Sequence, residues 1–227
     1  MSALNEFPNE FPGEPSRFVL PGPAGAIEVA THPPASAEAR NAVALICHPH
    51  PLHGGTMQNK VVSMLERALR ELGLATLRFN FRGVGASEGT HDDGEGETRD
   101  VVALAGWLER VKPGHALMLA GFSFGAYVAL RAAAHVPVRQ LVLVAPPVDR
   151  YGFRSLPPPP CPWLVVMGEE DEVVQPEAVF VWIASMPQGV APKLARMPGT
   201  SHFFHGKLMD LRGVVKNGVR EQLLPPA

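Results

Sequence analysis

Leu117-Met118-Leu119-Ala120-Gly121-Phe122-Ser123-Phe124-Gly125 runs without a break into Ala126-Tyr127-Val128-Ala129-Leu130-Arg131-Ala132-Ala133-Ala134. An apolar, strand-like stretch meets a G-x-S-x-G pentapeptide, and an alanine-rich helical stretch follows at once. A helix that packs back onto its own strand through so tight a turn leaves no room for side chains two before and two after the apex. Gly121 and Gly125 meet that need, and Ser123 is left projecting above the carboxyl edge of a sheet. The following helix adds free N–H groups and partial positive charge beside the hydroxyl.

A hydroxyl is a weak nucleophile near neutral pH, so it needs a base, and the base needs a group that orients it. After a turn of this kind the partners follow in the order acid then His, each on a loop beyond a later strand. The chain supplies both. Trp163–Met167 reads as a buried strand that leaves through Gly168-Glu169-Glu170-Asp171-Glu172. Lys193–Met197 reads as a short strand that leaves through Pro198-Gly199-Thr200-Ser201-His202. Asp171 could instead be one member of a solvated acidic turn, and Asp149, beyond the strand Gln140–Ala145, is a rival acid near the same edge. His205 rivals His202, and its position favours the start of the next helix. The order Ser123, Asp171, His202 decides for those three.

These residues and two further blocks resemble the serine α/β-hydrolase superfamily, most closely its small lidless bacterial branch. That branch carries H-P-H-P-x-x-G-G-T-M-x-N-K, which stands here as His48-Pro49-His50-Pro51-Leu52-His53-Gly54-Gly55-Thr56-Met57-Gln58-Asn59-Lys60. Phe81-Arg82-Gly83-Val84-Gly85-Ala86-Ser87 is similar to the superfamily's aromatic-R-G-x-G-x-S turn. The resemblance implies a mostly parallel, twisted sheet with helices on both faces and no cap domain. It also implies cleavage of an ester, thioester or related acyl bond, with a small-molecule acyl substrate and no cofactor.

Attack on an acyl carbon builds an oxyanion that needs preorganised donors. One is expected from the backbone N–H of Phe124, the residue after the nucleophile. The second comes from the loop after the third strand, where Pro49 and Pro51 have no N–H to give. His50, Leu52 and His53 are left, and the family's H-G-x pattern implies His50. Leu52, Tyr151 and Phe153 are the candidate pocket-lining side chains.

Two other function classes compete. His48-x-His50-x-x-His53 has part of the spacing of the H-x-H-x-D-H metal motif, but Leu52 stands where that motif needs Asp, and no second ligand cluster follows. Backbone hydrogen bonding around the pocket is the alternative role for His48 and His53. A binding module on a hydrolase fold would be expected to lose Ser, Asp or His, and this chain keeps all three. Gly83-x-Gly85 fails the dinucleotide pattern because Glu88 stands at the third glycine.

At 227 residues, 46% of them hydrophobic, the chain is long enough for one well-filled domain. Its net charge of −2 is spread without blocks, giving no footprint for nucleic acid or membrane. Without a basic and apolar leader or a run of about 18 apolar residues, a cytoplasmic protein is expected. Cys47 and Cys161 read as small buried hydrophobes without a disulfide. Residues 1–16 read as an irregular leader and 17–227 as the single domain.

The remaining elements alternate. Arg17–Leu20 and Ala26–Thr31 read as antiparallel strands, then Val43–Cys47, a helix over Asn59–Leu72, a strand over Leu74–Phe81 and a helix over Arg99–Val111. Helices over Phe180–Ser185 and Leu208–Leu224 complete the reading, and the alternation argues for a parallel sheet covered on both faces. Only residues 146–161, including Pro157–Pro160, separate Ala145 from the next strand, too few for a cap.

Overall fold

The computed structural model describes residues 8–223, so Met1–Phe7 of the expected leader and Leu224 of the expected last helix lie outside it. The sheet has eight strands: β1 (Ser16–Gly22), β2 (Gly25–His32), β3 (Ala42–Cys47), β4 (Ala75–Phe79), β5 (Ala116–Phe122), β6 (Gln140–Val144), β7 (Trp163–Gly168) and β8 (Lys193–Met197). Their spatial order is β1-β2-β4-β3-β5-β6-β7-β8. β1 and β2 form an antiparallel hairpin, β2 lies antiparallel to β4, and every pairing from β4 to β8 is parallel. Strands β3, β6 and β7 are buried along their whole length, as expected where helices cover both faces.

The helices are α1 (Lys60–Glu71), α2 (Glu95–Val111), α3 (Phe124–Ala132), α4 (Pro176–Ala184) and α5 (Leu208–Val219). Asn59 caps α1 through its side-chain oxygen, which accepts the Val61 N–H at 2.9 Å, and Val61, Val62, Leu65, Ala68 and Leu69 form the buried stripe. α1 packs on α5, where Glu71 holds Arg212 and Lys216 at 2.9 and 2.8 Å. α2 and α3 pack together on the other face. Phe153 bridges Tyr127 of α3 and Trp182 of α4.

Several boundaries differ from the sequence reading. α2 begins at Glu95 rather than Arg99, because Glu97 folds back to accept the Gly94 N–H at 2.9 Å and the Asp92 N–H at 3.0 Å. The stretch 95–98 is therefore the helix's first turn and not a loop. α4 starts at Pro176, a position where proline loses nothing because its N–H would have no partner. β4 stops at Phe79, and α5 gives way after Val219 to a short 3-10 turn. The stretch from Pro8 to the start of β1 is irregular but packed: Phe11 meets the Trp107 ring at 6.2 Å, and the Trp107 Nε1–H donates to Pro8 O. Both cysteines are free, with Cys47 buried and Cys161 half-buried rather than fully enclosed.

Arg82 and Ser87 brace the loop after β4. Arg82 makes two bonds of 2.8 Å to the Asp100 carboxylate. Ser87 Oγ donates to Asn80 O at 2.6 Å and accepts the Glu28 N–H. Four strand ends therefore meet at one carboxyl edge, where the loops after β3, β5, β7 and β8 face one another.

Candidate active site

Ser123 sits between β5 and α3 at φ 55°, ψ −121°. That conformation costs a non-glycine residue about 1–3 kcal/mol. The Ser123 N–H donates to Val144 O of β6 at 2.9 Å, which holds the apex in place. A Cβ at position 121 would collide with Gly125 O, and one at 125 with Cys47 O and His48 O. The pentapeptide's glycines are required by backbone approaching backbone.

His202 and Asp171 meet this apex. His202 Nε2 lies 3.2 Å from Ser123 Oγ, and His202 Nδ1 lies 2.7 Å from Asp171 Oδ2. A carboxylate only accepts, so Nδ1 carries the proton and Nε2 is left to accept from the hydroxyl. The other Asp171 oxygen accepts the N–H groups of Val173 and Val174 at 2.9 and 2.7 Å. Glu172 reaches across to accept the His202 N–H at 3.0 Å, tying the β7 loop to the β8 loop. The His202 ring packs at 5.0 Å from both Phe122 and Phe203, and His202 and Asp171 are only 2% and 8% exposed. Asp149 stands exposed in a turn, and the His202 Nδ1 bonds to Asp171 instead. His205 is also exposed, in the turn before α5 and not on that helix.

The loop after β3 turns around His50. Its carbonyl accepts the N–H groups of His53 and Gly55, and its Nδ1 accepts the Leu52 N–H at 3.2 Å. Two of the three expected donors, Leu52 and His53, are thus consumed within the loop. The His50 and Phe124 N–H groups have no acceptor among the described residues. Burial, then His53 and His91, hold the His50 imidazole below its ordinary pKa. A depression of about 160 Å³ opens over Ser123 and His202, walled by His50, Phe124, Pro147, Tyr151, Val173 and Phe203 among others. Residues 38–161 match the model of the serine aminopeptidase S33 hydrolases.

The chain belongs to that family.

A relative from Rickettsia prowazekii (strain Madrid E), an uncharacterized protein, is 39% identical over 205 residues, covering 86% of this chain and 85% of its own. A lidless α/β serine hydrolase from Xanthomonas campestris superposes with a TM-score of 0.92 at 47% identity, over 96% of this chain and 99% of that one. An α/β serine hydrolase homologue from Coxiella burnetii gives 0.85 at 46% identity, over 89% and 96%. The chain is thus a member of the lidless branch of the α/β serine hydrolase superfamily.

In this hydrolase two of the expected pocket residues are elsewhere. Leu52 is 71% exposed and does not line the depression, because its short helical turn carries the side chain outward. Phe153 is 1% exposed, packed between Tyr127 and Trp182 beneath the surface. Tyr151 does line the site, stacked on Tyr127 at 4.9 Å.

The histidines of the β3 loop do not converge on a common point. The His48 Nδ1–H donates to Pro49 O and its Nε2 accepts the Phe81 N–H, so both nitrogens are occupied. His53, expected to bond backbone, instead stacks its exposed ring on His50 at 4.3 Å. Among the described residues no group of three His, Cys, Asp or Glu has a metal-holding arrangement. No helix among them is long and apolar enough to cross a membrane.

Sequence reasoning missed Asn59, His91, Arg150 and the Val173–Val174 pair. Val173, Val174, Asn59 and Arg150 line the depression, and His91 stands 4.7 Å from His50 and 5.3 Å from Phe124. Asn59 was legible as a helix cap. Nothing local marks Arg150, which reaches the site only because the β6 loop folds over the β7 loop.

Proposed function

We propose that this hydrolase cleaves small carboxylic esters or related acyl bonds through an acyl-enzyme on Ser123. The observation that carries the reading is the continuous chain Ser123 Oγ, His202 Nε2, His202 Nδ1, Asp171 Oδ2, at 3.2 and 2.7 Å. Ser123 Oγ attacks the carbonyl carbon while His202 Nε2 takes its proton. Asp171, its other oxygen held by two amides, keeps the imidazole in one tautomer and stabilises the imidazolium. The unengaged N–H groups of Phe124 and His50 receive the oxyanion. His202 returns its proton to the leaving oxygen as the ester C–O bond breaks. Water then attacks the acyl-enzyme with His202 again as base, and Ser123 recovers its proton as the acid leaves.

The family's name points to peptide bonds with a free N-terminus. The depression's lining includes no carboxylate to receive an N-terminal ammonium, and its one fully charged side chain is Arg150. Esters are therefore placed ahead of peptides. Labelling of Ser123 by an organophosphonate, with loss of label and turnover in Ser123→Ala, tests the reading.

A further inference from the structure

The depression over Ser123 is lined by one guanidinium and by no carboxylate. Arg150, an exposed residue, lines it, and its Nη2 donates to Val173 O at 2.6 Å, which anchors one end of the guanidinium beside the loop that holds Asp171. No carboxylate pairs with Arg150 among the described residues. Asn59 also lines it, with its Oδ1 turned to the Val61 N–H and its Nδ2 without an acceptor among the described residues. The acids around the site have partners of their own and do not line it. Glu172 accepts the His202 N–H, Glu97 accepts two backbone amides and faces the His91 ring, and Asp93 faces His91 Nε2 at 3.2 Å with its side chain 94% exposed. Asp149, next to Arg150 in sequence, is exposed and makes no ion pair with it.

An arginine that keeps free N–H groups, anchored by one backbone carbonyl, is preorganised for a planar anion. Its carbonyl contact uses one N–H and leaves the rest of the fork open. Ser123 and Arg150 line the same small depression, so an anion on Arg150 shares it with the bond being cut.

Resting on the acyl-transfer reading above, we infer that the substrate carries a carboxylate close to its scissile acyl bond, and that Arg150 receives it. Arg150 is thus a specificity-determining residue. The carboxylate belongs to the acyl part or to the alcohol part, and the test separates the two.

In the first arm, para-nitrophenyl hemisuccinate is compared with its methyl-capped neutral counterpart. In the second, meta-(butyryloxy)benzoate is compared with its methyl ester. In one arm the free carboxylate raises kcat/KM at least about tenfold in the native enzyme. That advantage shrinks as salt is raised to roughly half molar. Arg150→Gln brings the ratio close to one, and Arg150→Lys keeps part of it. Equal or poorer turnover of the carboxylates in both arms overturns the inference, as does an advantage that survives Arg150→Gln. The salt series on the native enzyme keeps the test valid even if a variant folds poorly. Failure of Ser123 to take a phosphonate label is seen before any ester comparison; it removes the acyl-transfer reading, and the inference falls with it.

Discussion

The Nε2 of His48 accepts the backbone N–H of Phe81 at 2.9 Å, while its Nδ1–H donates to Pro49 O at 2.6 Å. One buried, neutral imidazole thereby ties the loop after β3, which presents the His50 amide, to the chain leaving β4. A proton on Nε2 would set N–H against N–H. Burial is the main reason its pKa falls to about 4, from an ordinary value near 6.5.

This arrangement predicts a pH-dependent stability. Between about pH 6.5 and pH 4 the unfolded chain binds a proton at His48 that the native state refuses. The contribution is complete above about pH 6.5 and lost as pH falls toward 4, about 3 kcal/mol in all at 1.36 kcal/mol per unit. Urea unfolding at several pH values checks it. His48→Gln is expected to be about 1–3 kcal/mol less stable at neutral pH, with a visibly shallower loss on acidification. Parallel pH profiles for the two proteins would contradict this.

The Asp171 carboxylate is held by two amides and the His202 ring, whereas Asp149 is free in solvent. Asp171→Asn is therefore expected to lower kcat by about 10³–10⁴-fold, because an amide no longer holds the imidazole tautomer. Asp149→Asn should stay within a few-fold of the native enzyme. Steady-state kinetics on the two variants decide between the acids, and the opposite pattern would move the acid to the β6 loop.

The depression, at about 160 Å³, is small beside the roughly 300–1,000 Å³ of sites that enclose larger ligands. Without a lid, each added acyl CH₂ gains less than the about 0.8 kcal/mol of full burial. We expect kcat/KM across a straight-chain ester series to fall beyond about six carbons. A steady rise with chain length would show an apolar groove that the monomer does not supply.

Dialysis against a strong chelator should leave ester turnover unchanged, since His48 has both nitrogens engaged and His53 is stacked on His50. Inactivation reversed by added zinc would return the His48, His50 and His53 loop to consideration as a metal site.

The sheet and its helices were legible because strand-like apolar runs alternate with helical stretches from Val43 onward. Ser123 was legible because glycine spacing at 121 and 125 reports a steric necessity. The limits of the elements were less so. The start of α2 depends on Glu97 folding back on Gly94, and a proline at 176 reads as readily as a turn as it does as a helix start. Placement of single side chains depended on loops crossing one another. Tyr151 reaches the depression while Phe153, two residues on, turns into the core, and no local pattern distinguishes them. Arg150 is placed by its bond to Val173, a residue of another loop.

A fluorophosphonate reports most directly on whether Ser123 forms an acyl-enzyme. Intact-mass analysis of the treated protein should show one adduct per chain, mapped by peptide fragmentation to Ser123. Ser123→Ala should take no adduct, lose at least about 10⁵-fold in turnover, and keep the native unfolding transition. An adduct on any other residue, or turnover that survives in Ser123→Ala, would contradict it.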